Sequence, residues 1–214
     1  MIRFFARPRA MWTVLLFFFL LASCATMKQP SLRIEHYTLE YAPPEHPERP
    51  PLPVVVKIQR FRVAPSYDTL QMVYRDRSFK RSTYTYHRWR AHPGDLVSDY
   101  LARDMRHSGL FRAVVQDESA IAPTHVLEGS LDEFFEWNDE QGWKAVLSLT
   151  ATLIRAGESD ISRKILFQKA FRTLQPCREK TPNGLVEAMS EAMARLSKEI
   201  AETLHEHLSP VGGE

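Results

Sequence analysis

The sequence has 214 residues, enough for one domain with a substantial hydrophobic core. Its formal net charge is +2 at pH 7, and Arg3, Arg7 and Arg9 at the amino terminus account for this excess. The rest of the chain is close to neutral, which argues against electrostatic binding of nucleic acid. Its two cysteines, Cys24 and Cys177, are too few for a cysteine-rich zinc site.

Residues 1–23 have the pattern of a signal peptide. A basic start without acidic residues precedes the apolar run 11–21. A membrane-spanning helix needs roughly 20 apolar residues, so this shorter run is not predicted to remain as a transmembrane anchor.

The stretch Leu21-Ala22-Ser23-Cys24 resembles the lipobox of bacterial lipoproteins. That resemblance implies a diacylglycerol on the Cys24 thiol, cleavage before Cys24 and acylation of the new amino terminus. Ala25, in place of Asp, implies sorting to the outer membrane with the folded part in the periplasm. The alternative is an ordinary secretory signal in which Cys24 forms half of a disulfide.

Residues 24–33 are predicted to be a polar tether, 34–208 a folded domain and 209–214 a loose tail. Residues 42–53 contain six prolines and predict a stiff surface loop, with a proline-rich ligand for a recognition domain as the alternative. Alternating and β-branched segments predict the strands 33–41, 54–63, 69–75, 82–89, 112–115, 125–137, 143–155 and 162–174.

Two amphipathic helices complete the prediction. One begins at Pro93 and stops at Gly109, with Asp99 and Asp104 on a solvated flank. The other covers residues 184–208, with Asn183 as its cap, and should cover one face of the last three strands. The predicted fold is a single α+β domain with a mostly antiparallel sheet, a meander plus a hairpin, and two helices packed on it.

In the strand 125–137, the alternation places Phe135 and Trp137 on the inward face with Leu127, Gly129 and Leu131. The same alternation places Glu136 on the outward face.

The predicted hairpin 69–89 mixes aromatic and basic side chains. Such residues are enriched at protein–protein interfaces, so the hairpin is a candidate partner-binding surface. The alternative is pairing of aromatic residues across the strands within one subunit. The candidate partner-binding residues are Tyr74, Arg75, Tyr84, Tyr86 and Trp89.

No set of residues in the sequence predicts catalysis. There is no recognisable nucleophile–base pair or phosphate-binding glycine loop. His205 and His207 point in different directions on a helix and cannot share one metal ion. The chain is therefore predicted to be non-enzymatic, without a metal or cofactor beyond the lipid on Cys24. If Cys24 is lipidated, Cys177 is either buried and inert or paired between chains.

The order of several short stretches resembles the ABC-type transport auxiliary lipoprotein family. The matching stretches follow the lipobox and extend over nearly all of the chain after Cys24. They are Tyr37-Thr38-Leu39, Val55-Val56-Lys57-Ile58, Pro65-Ser66-Tyr67-Asp68, Met72-Val73-Tyr74-Arg75, Tyr86-His87-Arg88-Trp89, Pro93, Ser108-Gly109-Leu110-Phe111 and Leu127-Glu128-Gly129-Ser130-Leu131.

This resemblance implies a docking subunit at the inner leaflet of the outer membrane. Its partner would be a mammalian-cell-entry (MCE) protein, linked to an inner-membrane permease and an ATPase that move phospholipid or other hydrophobic substrates. A homo-oligomer would match the symmetry of a multimeric partner. Two alternatives are a periplasmic module that binds phospholipid between the last helix and the sheet, and a structural lipoprotein of another envelope secretion system.

Overall fold

The secondary structure of this computed structural model is described for residues 33–76 and 79–209. The predicted signal peptide, residues 24–32 of the predicted tether and the tail beyond residue 209 lie outside the described residues. In chain order, the elements are β1 (Glu35–Tyr37), β2 (Leu52–Ile58), β3 (Arg62–Val63), β4 (Gln71–Arg75), β5 (Ser82–Trp89), α1 (Pro93–His107), β6 (Phe111–Gln116), β7 (His125–Asp139), β8 (Gly142–Arg155), α2 (Ile161–Lys164), β9 (Ile165–Pro176) and α3 (Pro182–Leu208).

Strand β7 lies at the centre of the sheet and is paired along both of its edges. On one edge, the short strands β2, β3 and β4 pair with it in turn, near His125, Leu131 and Glu136. On the other edge, β8 pairs with it along almost its entire length, and β9 pairs with β8. Strand β6 flanks β2, whereas β5 and then β1 flank β4.

The described residues form a single α+β domain, as predicted, but the prediction of a mostly antiparallel sheet is wrong. The sheet is mixed, because β1–β5, β2–β6 and the three short pairings of β7 are parallel. The predicted hairpin β4–β5 and the predicted meander β7–β8–β9 are antiparallel. Alternation along a strand reports which side chains are buried but carries no information about the direction of its neighbour.

Helices α1 and α3 pack against each other and against the sheet. In α1, the predicted apolar face is buried, and the chain leaves the helix through Gly109 at φ 66°, a conformation that favours glycine. In α3, the cap is Thr181 rather than Asn183, because the Thr181 Oγ1 accepts from the Gly184 N–H at 3.1 Å. The single-turn helix α2 was not predicted.

None of the helices in the described part of the chain combines the length and the apolar composition needed to cross a bilayer.

A β-bulge at Asp132 changes which side chains of β7 face the helices. The register with β8 shifts between Leu131 and Glu133, so the alternation reverses beyond that point. The Asp132 carboxylate is held by the Ser130 and Thr150 hydroxyls, at 2.6 and 2.7 Å. The prediction that Phe135 and Trp137 share the face of Leu131 is therefore wrong, because Glu136 takes that face. Phe135 lies on the opposite face and is still only 2% exposed.

The predicted solvated position of Asp104 is also wrong, because its side chain is 0% exposed. Its Oδ2 accepts hydrogen bonds from the Tyr41 hydroxyl at 2.7 Å and the Ser197 hydroxyl at 2.6 Å. Its Oδ1 accepts from the Arg103 guanidinium at 2.8 Å. The carboxylate thus joins α1 to α3 and to the extended segment that follows β1.

The Arg103 guanidinium strengthens this junction. It lies 4.3 Å from the ring centre of Tyr41 and 4.5 Å from that of Tyr100, and these two rings stack on each other. The Tyr100 hydroxyl donates to the backbone carbonyl of Leu39, whose side chain is fully buried. Burial and the neighbouring Asp104 carboxylate raise the pKa of Tyr41, which keeps its hydroxyl a hydrogen-bond donor.

We expect Asp104→Ala to lower the free energy of unfolding by about 3–5 kcal/mol, as is typical when one partner of a buried charged network is removed. The change leaves the Tyr41 and Ser197 hydroxyls and the Arg103 guanidinium without their shared acceptor. Urea denaturation followed by circular dichroism would measure it. Asp99→Ala on the same helix is the control, because Asp99 is exposed and should change stability by less than about 0.5 kcal/mol.

Candidate functional site

The candidate partner-binding residues lie on the β4–β5 hairpin. Val73 pairs with Thr83 and Tyr74 with Ser82, whereas the pairing toward the other end of the hairpin is irregular. Alternating threonines and tyrosines suit an extended, half-buried strand. The predicted hairpin is therefore confirmed, and its side chains differ widely in exposure.

Trp89 at the end of β5 is a core residue. It is only 2% exposed, and its ring lies 5.0 Å from that of Phe134. Its backbone N–H donates to the Leu70 carbonyl at 2.7 Å. The structure thus separates Trp89 from the other four candidate residues and gives it a packing role.

Tyr84 connects the hairpin to the buried carboxyl group of Glu136. The Tyr84 hydroxyl donates to the Glu136 Oε2 at 2.8 Å, and its ring lies 5.0 Å from that of Tyr74. Glu136 is 1% exposed, and burial raises its pKa to about 7, although the bond from Tyr84 opposes the shift. Burial raises the pKa of the Tyr84 hydroxyl, and the Glu136 carboxyl raises it further by a smaller amount.

Cys177 lies near the same carboxyl group. It is half-buried and free, and its backbone N–H donates to the Trp143 carbonyl at 2.8 Å. Burial and the negative charge of Glu136 raise the pKa of the Cys177 thiol to about 12. The thiol is therefore protonated at neutral pH and is a poor nucleophile.

A chain of polar contacts continues from Tyr84 to the edge of the sheet. The Tyr84 ring meets His87 edge to face at 5.5 Å, and the His87 Nδ1 lies 3.2 Å from both the Tyr37 hydroxyl and the Glu35 carboxylate. The Tyr37 hydroxyl donates to the Glu35 Oε2 at 2.5 Å. Burial and Glu35 raise the pKa of Tyr37 to about 12.

Tyr86 is the most accessible of the candidate residues, and Arg75 is half-buried like Tyr74 and Tyr84. Tyr86 is 36% exposed, and the half-buried Arg75 places its guanidinium 5.1 Å from the ring centre of Trp137. Aromatic rings and arginines that are only partly buried can bury further area against a partner. Tyr86, Arg75, Tyr74 and Tyr84 therefore remain the candidate partner-binding residues of the hairpin.

Within residues 33–76 and 79–209, no three histidine, cysteine, aspartate or glutamate side chains are grouped closely enough to hold a metal ion. The His207 ring makes a contact within its own helix, because its Nδ1 lies 2.9 Å from the Thr203 carbonyl oxygen.

Residues 37–201 match the model of a protein family described as the ABC-type transport auxiliary lipoprotein component. No curated protein matches the chain.

Solved structures share the fold at low sequence identity. A Xanthomonas campestris protein described as DUF330, a name for the same family, has a TM-score of 0.70 at 17% identity. The match covers 81% of this chain and 95% of the Xanthomonas chain. An uncharacterized protein has a TM-score of 0.62 at 13% identity, and the match covers 80% of this chain and 99% of that protein. A hypothetical protein from Chlamydia trachomatis has a TM-score of 0.50 at 10% identity, and the match covers 73% of this chain and 98% of that protein.

The raised pKa of Glu136 predicts how stability depends on pH. The unfolded carboxyl has a pKa near 4.5, so the folded state holds its proton more tightly, and stability is lost as the pH rises through about 7. We expect Glu136→Gln to remove this loss and to raise the unfolding midpoint at pH 8 relative to the original chain.

Thermal unfolding at several pH values between 5 and 8 would measure this effect as the difference between the two chains. The difference is needed because His46 and His125 have pKa values lowered by burial and therefore make stability fall as the pH falls. Glu128→Gln on the same strand is the control. If the Glu136→Gln profile stays parallel to that of the original chain, the buried carboxyl does not titrate in this range.

Proposed function

The chain belongs to the family of ABC-type transport auxiliary lipoproteins, and from that membership we propose that it is a non-catalytic docking subunit anchored to the outer membrane. In this proposal it receives an MCE-domain protein, which connects it to a permease and an ATPase in the inner membrane. The transported substrates are phospholipids or other hydrophobic molecules. The family match, which extends from β1 into α3, is the observation that carries the proposal.

The proposed anchor is the lipid on Cys24. The basic, apolar and small-residue order of residues 1–23 supports processing before Cys24. Three acyl chains exceed the two signals that stable membrane attachment requires. Ala25 supports sorting to the outer membrane, and in this proposal the described domain faces the periplasm.

The proposed docking surface is the outer part of the hairpin. Tyr86 is exposed on β5, and Tyr74 and Tyr84 are fixed by their ring contact and by the bond to Glu136. The Arg75 guanidinium is held over the Trp137 ring. These side chains are already ordered, so a partner would lose little conformational entropy in binding them. In a homo-oligomer, several copies of this surface could bind a multimeric partner at once, which would raise the overall affinity.

The alternative of a lipid-binding module receives less support. That function would need space for acyl chains between α3 and the sheet. Met189 and Met193, which line this interface, are both completely buried in the hydrophobic core. Packing at this interface therefore fills the place where acyl chains would have to lie.

We expect Cys24→Ser to abolish acylation and to leave the chain as an uncleaved precursor, because serine offers no thiol to carry the lipid. Mass spectrometry and membrane fractionation would show the missing acyl mass and the loss from the outer-membrane fraction. Cys177→Ser is the matched control and should remain lipidated. A Cys24→Ser chain that still fractionates with the outer membrane would contradict the anchor.

We expect Tyr86→Ala to weaken binding of the MCE partner by roughly 30-fold, the size of a typical interface hot spot of about 2 kcal/mol. The unfolding midpoint should stay unchanged, because Tyr86 is exposed. Surface plasmon resonance with the lipidated protein would measure the affinity. Ile121→Ala, another exposed apolar residue, is the control, and equal affinities of the two variants would exclude Tyr86 from the interface.

A further inference from the structure

The loop of the β4–β5 hairpin exposes a large apolar side chain. Phe79 is 100% exposed, more than any other large apolar residue in the described part of the chain. It is followed by the exposed residues Lys80 and Arg81. An exposed phenylalanine gains about 2 kcal/mol when it leaves water, so this position favours contact with an apolar phase.

Other aromatic residues lie at the same end of the sheet. Trp137 near the end of β7 and Trp143 near the start of β8 are both half-buried. The Arg75 guanidinium and the Lys144 ammonium lie 5.1 and 5.7 Å from the centre of the Trp137 ring. Tryptophan, lysine and arginine are the side chains that membrane proteins place at the level of lipid headgroups.

The polypeptide enters the domain from this end of the sheet. Strand β1 is parallel to β5, with Glu35 opposite His87, so Ile34 continues the register toward Tyr86 and the hairpin loop. Residues 24–33 span at most about 35 Å when fully extended, which limits the distance between β1 and Cys24. The distance from Tyr86 to Ser82 at the base of the loop is only roughly 13 Å along the strand. A lipid on Cys24 and the hairpin loop can therefore occupy the same bilayer.

Acidic residues offset much of the positive charge at this end. Asp76, Asp139 and Glu140 lie at the same end of the sheet as Arg75, Lys80, Arg81 and Lys144. The Lys144 ammonium binds the Asp139 carboxylate at 2.8 Å. Insertion of the aromatic side chain, rather than attraction to anionic lipid, would then dominate the contact. Such a contact should depend little on salt.

We propose that this end of the sheet contacts a phospholipid bilayer, into which the Phe79 ring inserts. The inference rests on the proposed lipid anchor at Cys24, which supplies the proximity that one aromatic side chain cannot provide alone. The contact would hold the sheet upright on the membrane. Tyr86 would then lie roughly 13 Å or more from the bilayer surface and remain accessible to a partner.

The test uses the complete acylated protein in vesicles of phosphatidylethanolamine and phosphatidylglycerol. In a Cys177→Ser background, Phe79→Cys carries an NBD fluorophore, and Ile121→Cys is the matched control. Ile121 is also exposed but lies in the β6–β7 loop at the opposite end of the sheet. We expect a blue shift at position 79, and severalfold stronger quenching there than at 121 by lipids with a shallow spin label.

The possible outcomes separate this inference from the proposed anchor. If the protein floats with vesicles but the probe at 79 reports water, as at 121, the membrane contact is overturned and the anchor stands. If the chain lacks acyl mass and does not float, both proposals fall. If the probe at 79 changes only when the MCE partner is added, the loop contacts protein, which also overturns the membrane contact.

Discussion

The backbone of β7 imposes the constraint on which the rest of the fold depends. A fifteen-residue strand in the middle of a sheet must pair its amide and carbonyl groups along both edges. One edge is satisfied by β8, and the other is shared by β2, β3 and β4 in turn. The pairing with β4 fixes the position of the hairpin, because Tyr74 lies opposite Glu136. The hairpin therefore projects from one defined end of the sheet.

Two buried carboxyl groups connect this sheet to the elements around it in different ways. Asp104 is surrounded by the donors Tyr41, Arg103 and Ser197, which compensate for the loss of water. The one hydrogen bond that the structure shows for the Glu136 side chain comes from the Tyr84 hydroxyl. Burial therefore disfavours the ionised form of Glu136. The first group joins the helices and the segment after β1, and the second joins the hairpin to β7.

The side chains of the hairpin differ in burial from position to position. Trp89 lies in the core, Tyr84 is half-buried, Tyr86 reaches solvent and Phe79 is fully exposed. In the proposed contacts, a partner or a membrane would meet side chains whose backbone is held by the core. This variation in exposure is compatible with the auxiliary component that the family description names.

The sequence by itself determined the amphipathic helices, the hairpin, the meander and the family, because periodicity and the order of short stretches are local properties. Only the tertiary structure decided strand direction, since pairing partners are distant in the chain. It also decided the inward position of Glu136, because the alternation reverses at the bulge of Asp132. Asp104 looked like a solvated flank until Tyr41 and Ser197, far from it in the sequence, were brought to its carboxylate. Of the candidate site, the sequence identified the hairpin, but the exposure of each side chain depended on the packing around it.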